Sequence, residues 1–299
     1  MVWDVVGKKF WYFAFSGLIL IPGIVALALW GLDLGVDFTG GTLLELSFEK
    51  QIDKSALSET IQAKGIEVAS ITPTAANTYL VRTKPLDETG KKTVLDASSS
   101  KFGKVAAVSI ETIGPTIGAE LLRKAVMAVL IASAAIVLYI AWAFRSVPKP
   151  ASSWRFGICA VIALLHDVLV VIGIFAILGH FLAVQIDSLF VTAVLTIIGF
   201  SVHDTIVVFD RIRENLHKGV GATFADTVNH SIMQTIGRSI TTSLTVVLVL
   251  LAVLLFGGVS IRWFTVALLV GIVSGTYSSI FNASALLALW QDWGERRKR

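Results

Sequence analysis

The chain has almost no cysteine, little charge and none of the usual catalytic loops. Its single cysteine, Cys159, excludes an internal disulfide and any multi-cysteine metal site, and its place in an apolar run reads as inert packing. Only 15% of the 299 residues are charged, against about a quarter in an ordinary soluble domain. There is no phosphate-cradling glycine loop, no nucleophile–base set and no haem or flavin signature, so an enzyme is not expected and no cofactor is implied. The net charge of +4 is modest. Its basic residues sit between apolar runs and in the tail ERRKR, which suits an anionic lipid leaflet better than nucleic acid.

Apolar residues make up 55% of the chain. Several runs approach the roughly 20 residues needed to cross the hydrocarbon core. About six spans are expected, near 10–31, 122–143, 156–178, 187–209, 237–257 and 263–289, giving a membrane α-helical bundle. Lys8 and Lys9 precede the first span. Arg145, Lys149 and Arg155 follow the second, and Arg211, Arg213 and Lys218 follow the fourth. Arg296, Arg297, Lys298 and Arg299 end the chain. The opposite connections, 179–186 and 258–262, offer only Arg262, so the positive-inside rule puts both termini in the cytoplasm. Trp3, Trp11, Trp30, Trp142, Trp154, Trp263, Trp290 and Trp293 all fall near span ends, as an interfacial belt requires. The first span, with Lys8–Lys9 and Ala26-Leu-Ala28, mimics a cleavable signal, and Pro22-Gly23 is placed to break its helix. The apolar run continues to Trp30 with no polar region after it, which favours a retained anchor.

Residues 32–121 form one extramembrane segment on the side opposite the termini, leaving 1–31 as the first anchor and 122–299 as a five-helix bundle. Thr42–Phe48, Ile66–Ile71, Thr78–Thr83 and Val105–Thr112 read as strands, with a Thr-Pro-Thr-Ala-Ala-Asn turn between the second and third. Lys54–Lys64 reads as a helix ended by Gly65, and Asp87–Phe102 as helical or irregular. The order β-α-β-β-α-β predicts a small α+β ferredoxin-like domain that works by contact with another chain.

Within the membrane, Asp204 is the first functional candidate. An ionisable group at that depth costs about 2.5–3.5 kcal/mol on insertion scales and faces a bundle interior or wet cavity. At about 100° per residue, Ser201, Asp204 and Thr205 share one side of the fourth span, while Thr192, Thr196 and His203 form a second polar stripe. Lipid satisfies neither stripe, so both should face other helices or water. On the fifth span, Arg238, Thr241, Thr242 and Thr245 follow i, i+3, i+4, i+7 and line one face. A carboxylate beside a guanidinium holds its charge, whereas one parted from it in an apolar site takes up a proton. A helix shift that made or broke an Asp204–Arg238 contact would therefore load or release a proton. The alternative is that Arg238 merely snorkels to the interface. Asp167 in the third span is a further relay or helix-bridging group. HDVLVV at 166–171 echoes HDTIVV at 203–208, but adjacent side chains diverge on a helix and do not face one metal jointly, so no metal site is expected. Gly271, Ser274, Gly275, Ser278 and Asn282 read as a close-packing stripe. Asp210, Arg211, Arg213 and Glu214 read as a solvated charged face or a dock for a cytoplasmic partner.

LGVDFTGGTLLEL (34–46), IGPTIGAELLRKAV (113–126), HDVLVV (166–171), GFSVHDTIVVFDRIREN (199–215) and GRSITTSLT (237–245) together resemble the SecF family of bacterial protein-export membrane subunits, half-size members of the RND superfamily. The resemblance implies a periplasmic external domain in the inner membrane. It implies pairing with SecD, association with the SecYEG channel and YajC, and use of the proton-motive force to help late preprotein translocation begun by SecA. Family proton-path residues fall on Asp204 and Arg238, with Thr242 beside them. His203 stands where relatives commonly have asparagine; it either joins a proton relay or hydrogen-bonds a neighbouring span. Some relatives couple to Na⁺; the residues here lean to H⁺. Half of an RND-type lipid or small-molecule exporter, or a passive translocon scaffold, are the competing expectations.

Overall fold

The structure is a computed structural model that describes residues 4–75, 77–145, 147–148 and 152–296. Trp3, Lys149, Arg297, Lys298 and Arg299, and Ala76 in the expected turn, lie outside the described residues. Two compact units are present: residues 33–127 with 183–188, and the remainder of the chain.

In the smaller unit, β1 (Gly41–Phe48), β2 (Val68–Ala75), β3 (Thr78–Thr83) and β4 (Val105–Ile113) form one antiparallel sheet in the order β2-β3-β1-β4. Alternation along β1 turns Leu44, Leu46 and Phe48 inward, where they meet Tyr79 and Val81 of β3. Two helices between strands cover that face. They supply Leu57 and Ile61, on Lys54–Gln62, and Val94, on Glu88–Phe102. Asp53 and Asp87 cap these helices by accepting from Ala56 N and Gly90 N, which settles the second segment as a helix. Pro73 belongs to β2 rather than to a turn. This strand is at the sheet edge and its register shifts at Pro73/Ala75, so the missing N–H removes no ladder bond that the sheet needs.

The glycine pair is a packing device. After the short helix Val36–Thr39, Gly40 takes φ 72° and Gly41 φ 140°. A Cβ on Gly40 would lie 2.7 Å from Pro115 Cα, and one on Gly118 would lie 2.8 Å from Gly40 N. Asp37 in the same segment accepts from the N–H (2.9 Å) and hydroxyl (2.6 Å) of Ser188. Gly40→Ala therefore adds a collision to a left-handed backbone, whereas Gly65→Ala, at φ 79° with nothing near its Cβ, adds only the backbone strain. Backbone strain alone costs about 1–3 kcal/mol. Thermal melting is expected to show Gly40→Ala losing at least twice what Gly65→Ala loses; equal losses would refute the close approach.

Six helices among the described residues are long and apolar enough to cross a membrane. We number the spanning helices α1 (Lys9–Trp30), α2 (Pro115–Ala143), α3 (Ser153–Leu182), α4 (Ser188–His217), α5 (Phe224–Phe256) and α6 (Arg262–Tyr277). The sixth span is continued by a π-helical turn, Ser278–Ala283, and a last helix, α7 (Ser284–Arg296). Helix α1 runs unbroken through Pro22, contrary to the expected break there. Three helices extend beyond their apolar runs. Pro115 starts α2 where a missing N–H is harmless, a Thr223/Asp226 capping box starts α5, and i,i+3 and i,i+4 ion pairs among Asp210, Arg211, Arg213, Glu214 and Lys218 line the end of α4.

Helices α3, α4 and the sixth span are the half-buried centre of the bundle, and α1, α2 and α5 expose most of their apolar surface. Helix α1 lies against α3 so closely that a Cβ on Gly173 would come within 2.6 Å of Gly23 Cα. An aromatic cluster of Phe144, Phe156 and Phe209 ties α3 to α4. Cys159 is buried. Trp11, Trp30, Trp142, Trp154, Trp263, Trp290 and Trp293 occupy terminal turns of their spans.

Candidate functional site

Two buried carboxylates occupy the central helices, and their surroundings differ. Asp167, fully buried on α3, accepts from four groups: Ser201 Oγ at 2.5 Å, Ser278 Oγ at 2.6 Å, Ser274 Oγ at 2.8 Å and His166 Nδ1 at 2.9 Å. An ionised carboxylate offers about four lone-pair sites, so this set fills it. A glycine makes room for the arrangement: a Cβ on Gly275 would fall 3.2 Å from Ser201 Cβ and 3.6 Å from Asp167 Oδ2.

The π turn does the rest of the positioning. Ser278 reaches Asp167 while its neighbour Ser279 contacts Thr205 Oγ at 2.7 Å and donates to the Ser201 carbonyl at 3.2 Å. Ser284 closes the wide turn by reaching the Ser279 carbonyl five residues back. The small residues of the sixth span are thus hydroxyl donors to a buried acid as well as packing residues. Sequence reasoning missed that role because serine is enriched at close helix contacts for packing alone. It also missed the His166–Asp167 contact. Side chains that leave a helix about 100° apart can still meet at their tips.

Asp204, on α4 one turn past Ser201, is 2% exposed. Thr276 Oγ1 donates to it at 3.3 Å; Thr276 also shares a 2.5 Å hydrogen bond with Ser243 of α5, which itself neighbours the carboxyl. Neither Thr276 nor Ser243 was singled out from the sequence. The signal available was Ser239/Ser243 spaced i, i+4, which marks the buried face of α5.

The remaining sequence candidates lie elsewhere. Arg238 and Thr241 are exposed on α5, Thr245 likewise, and Thr242 is half-buried. Arg238 and His203 act on Asp204 through space, but no ion pair joins Asp204 to Arg238 among the described residues. The contact expected from the sequence is therefore not made in this structure. With Ser239 and Ser243 turned inward, the arginine one position away is carried to the side. On α4, His203, Thr192 and Thr196 are exposed on this chain.

Residues 93–293 match the model of the protein-export membrane protein SecD/SecF, C-terminal, and residues 26–52 match the SecD/SecF GG motif. The chain belongs to the SecD/SecF family. The matched GG motif contains the Gly40–Gly41 pair whose close packing is described above. "Protein translocase subunit SecF" of Thermobaculum terrenum is 46% identical, over 97% of this chain and 94% of its own. "Protein translocase subunit SecDF" of Thermus thermophilus is 40% identical, over 90% of this chain and 35% of its own. The crystal structure of SecDF from Thermus thermophilus, titled a translocon-associated membrane protein, superposes with a TM-score of 0.86 at 36% identity, covering 98% of this chain. This family member spans 39% of that longer chain.

Proposed function

We propose that this chain is the SecF-type half of an ion-driven protein-export unit, in which Asp204 holds the coupling proton. As a SecD/SecF family member it is an accessory subunit of Sec protein translocation, a transport role and not an enzymatic one. The observation that carries the ion reading is the contrast between the two buried acids. Asp167 has its full complement of donors, while among the described residues the hydrogen-bonding groups at Asp204 are the Thr276 and Ser243 hydroxyls, which leaves room for an O–H of its own.

A SecD-type partner completes the unit in this reading. Lipid cannot satisfy Arg238 and His203, both exposed on this chain, and a second bundle can. The length of the SecDF match, about two-fifths of the solved chain, agrees with one half of such an assembly. Within it, Arg238 approaching Asp204 would expel the proton to water, and withdrawal would let the carboxyl take up another from the opposite side. In this reading Thr242, half-buried one turn past Arg238, lines that approach, with His203 and Asp167 as further members of the path. Moving one charge through 100 mV supplies about 2.3 kcal/mol, enough to bias a two-state motion.

The assembly acts on preproteins with the SecYEG channel, YajC and SecA, in the bacterial inner membrane with both termini cytoplasmic. The small unit takes the ferredoxin-like form, which its β-α-β-β-α-β order and β2-β3-β1-β4 sheet support. The test is preprotein export into vesicles holding the channel, the SecD partner and this chain. An imposed proton gradient is expected to stimulate export about tenfold or more while a sodium gradient does not. Stimulation by sodium alone would change the ion, and none by either would leave a passive scaffold.

A further inference from the structure

The His166–Asp167 pair is joined to a longer polar chain that the Asp204 reading does not use. Asn282, in the π turn and nine-tenths buried, donates from Nδ2 to Ser16 Oγ at 2.6 Å and sets the same nitrogen 3.4 Å from His166 Nε2. Its Oδ1 is buried without a hydrogen-bond partner. Ser16 in turn neighbours the Tyr277 hydroxyl, which donates to the Tyr12 carbonyl at 2.9 Å. A continuous line of polar groups thus runs from α1 through Asn282 and His166 to Asp167. His166 is 11% exposed on this chain.

We propose that His166 is a second proton-holding station, in series with Asp204, and that rotation of the Asn282 amide matches its two charge states. In the arrangement seen, Nδ2–H points at the Nε2 lone pair, so neutral His166 carries its proton on Nδ1 and donates it to Asp167. A hydronium ion that gives its proton to Nε2, leaving water, makes the ring an imidazolium with two N–H donors. Turning the Asn282 amide over then brings Oδ1 to face Nε2–H and the Ser16 hydroxyl. The unpartnered oxygen is the acceptor that only this second arrangement uses. Asp167, already held by three serines, supplies the balancing charge.

Among the described residues, Asp167 on its own helix contacts His166 directly, Tyr277 at the end of α6 and Tyr12 on α1 are reached through Asn282 and Ser16, and Asp204 on α4 is reached through Asp167 and Ser201. Ser201 links the two acids: it donates to Asp167 and lies one turn before Asp204. The sixth span touches both, through Ser274 and Ser278 on one and Thr276 on the other. A shift of that span moves the donors of both stations together.

The inference rests on Asp204 as the proton carrier, and its test separates the two. The full chain is placed in lipid nanodiscs with ¹⁵N-labelled histidine and asparagine and followed by NMR over pH, His166 being assigned by its absence in His166→Gln and the Asn282 amide by its absence in Asn282→Leu. The expected neutral form has its proton on Nδ1, and charging of His166 moves the Asn282 side-chain amide with the same midpoint. A neutral form protonated on Nε2, or an Asn282 amide that stays fixed while His166 charges, overturns the station. In export vesicles, His166→Gln is expected to lose at least tenfold of the gradient-driven stimulation while channel export without a gradient is unchanged. Full stimulation in that variant overturns the series arrangement. Failure of the Asp204 reading would show instead as normal export by Asp204→Asn, whatever the His166 spectrum.

Discussion

Replacing Asp204 with asparagine is expected to abolish gradient-driven export stimulation while leaving the protein inserted and assembled. The amide keeps the shape of the carboxyl and can still accept from Thr276, so the hydrogen bond that the fold uses survives. What is lost is the ability to bind and release a proton. Arg238→Leu should give the same export defect by a different route. The arginine is exposed on its own chain and makes no ion pair with Asp204 in this structure, so its removal should barely change the stability of the isolated chain. A pair of variants that fold normally but fail to couple is what a transport role predicts. A variant that exports at the parent rate would mark the residue as structural.

The second large effect concerns stability. Asp167→Leu is expected to lower the unfolding free energy of the chain by about 3 kcal/mol, because it strands the hydroxyls of Ser201, Ser274 and Ser278 and the His166 N–H in an apolar interior at about 1–3 kcal/mol for each donor that finds no substitute. Some recover partners on the backbone, as Ser278 already does with the Gly275 carbonyl at 3.2 Å, which keeps the total well below the sum. Asp167→Asn retains one oxygen acceptor and should lose less than half as much. Melting temperatures in detergent compare the two. Equal tolerance of leucine and asparagine would mean that the serines satisfy themselves and the cluster is incidental.

These two acids show where a sequence is legible. The spans were readable because a bilayer demands long apolar runs, and the strands because β1 alternates on a buried face. Helix ends were not, since Pro115–Leu121 and Phe224–Ile236 continue their helices in polar sequence where hydropathy is silent. Asp204 and Asp167 stood out as charges in apolar surroundings. Their partners did not: Ser243, Ser274, Thr276 and Ser278 are small residues of the kind that packing alone selects. The π turn that lets adjacent Ser278 and Ser279 serve different clusters leaves no periodic trace over six residues. The position of Arg238 was not legible for a different reason: its face is set by Ser239 and Ser243 turning inward, and a polar stripe read from one chain does not say whether its complement is in the same chain.

Proton flux itself is the most direct measurement. Vesicles holding this chain with a SecD-type partner, loaded with a pH-sensitive dye and given a membrane potential, should acidify or alkalinise with Asp204 intact, and Asp204→Asn should reduce that flux to the rate of protein-free vesicles. Equal flux through the parent and the Asp204→Asn protein would contradict the assignment of this carboxyl as the ion carrier.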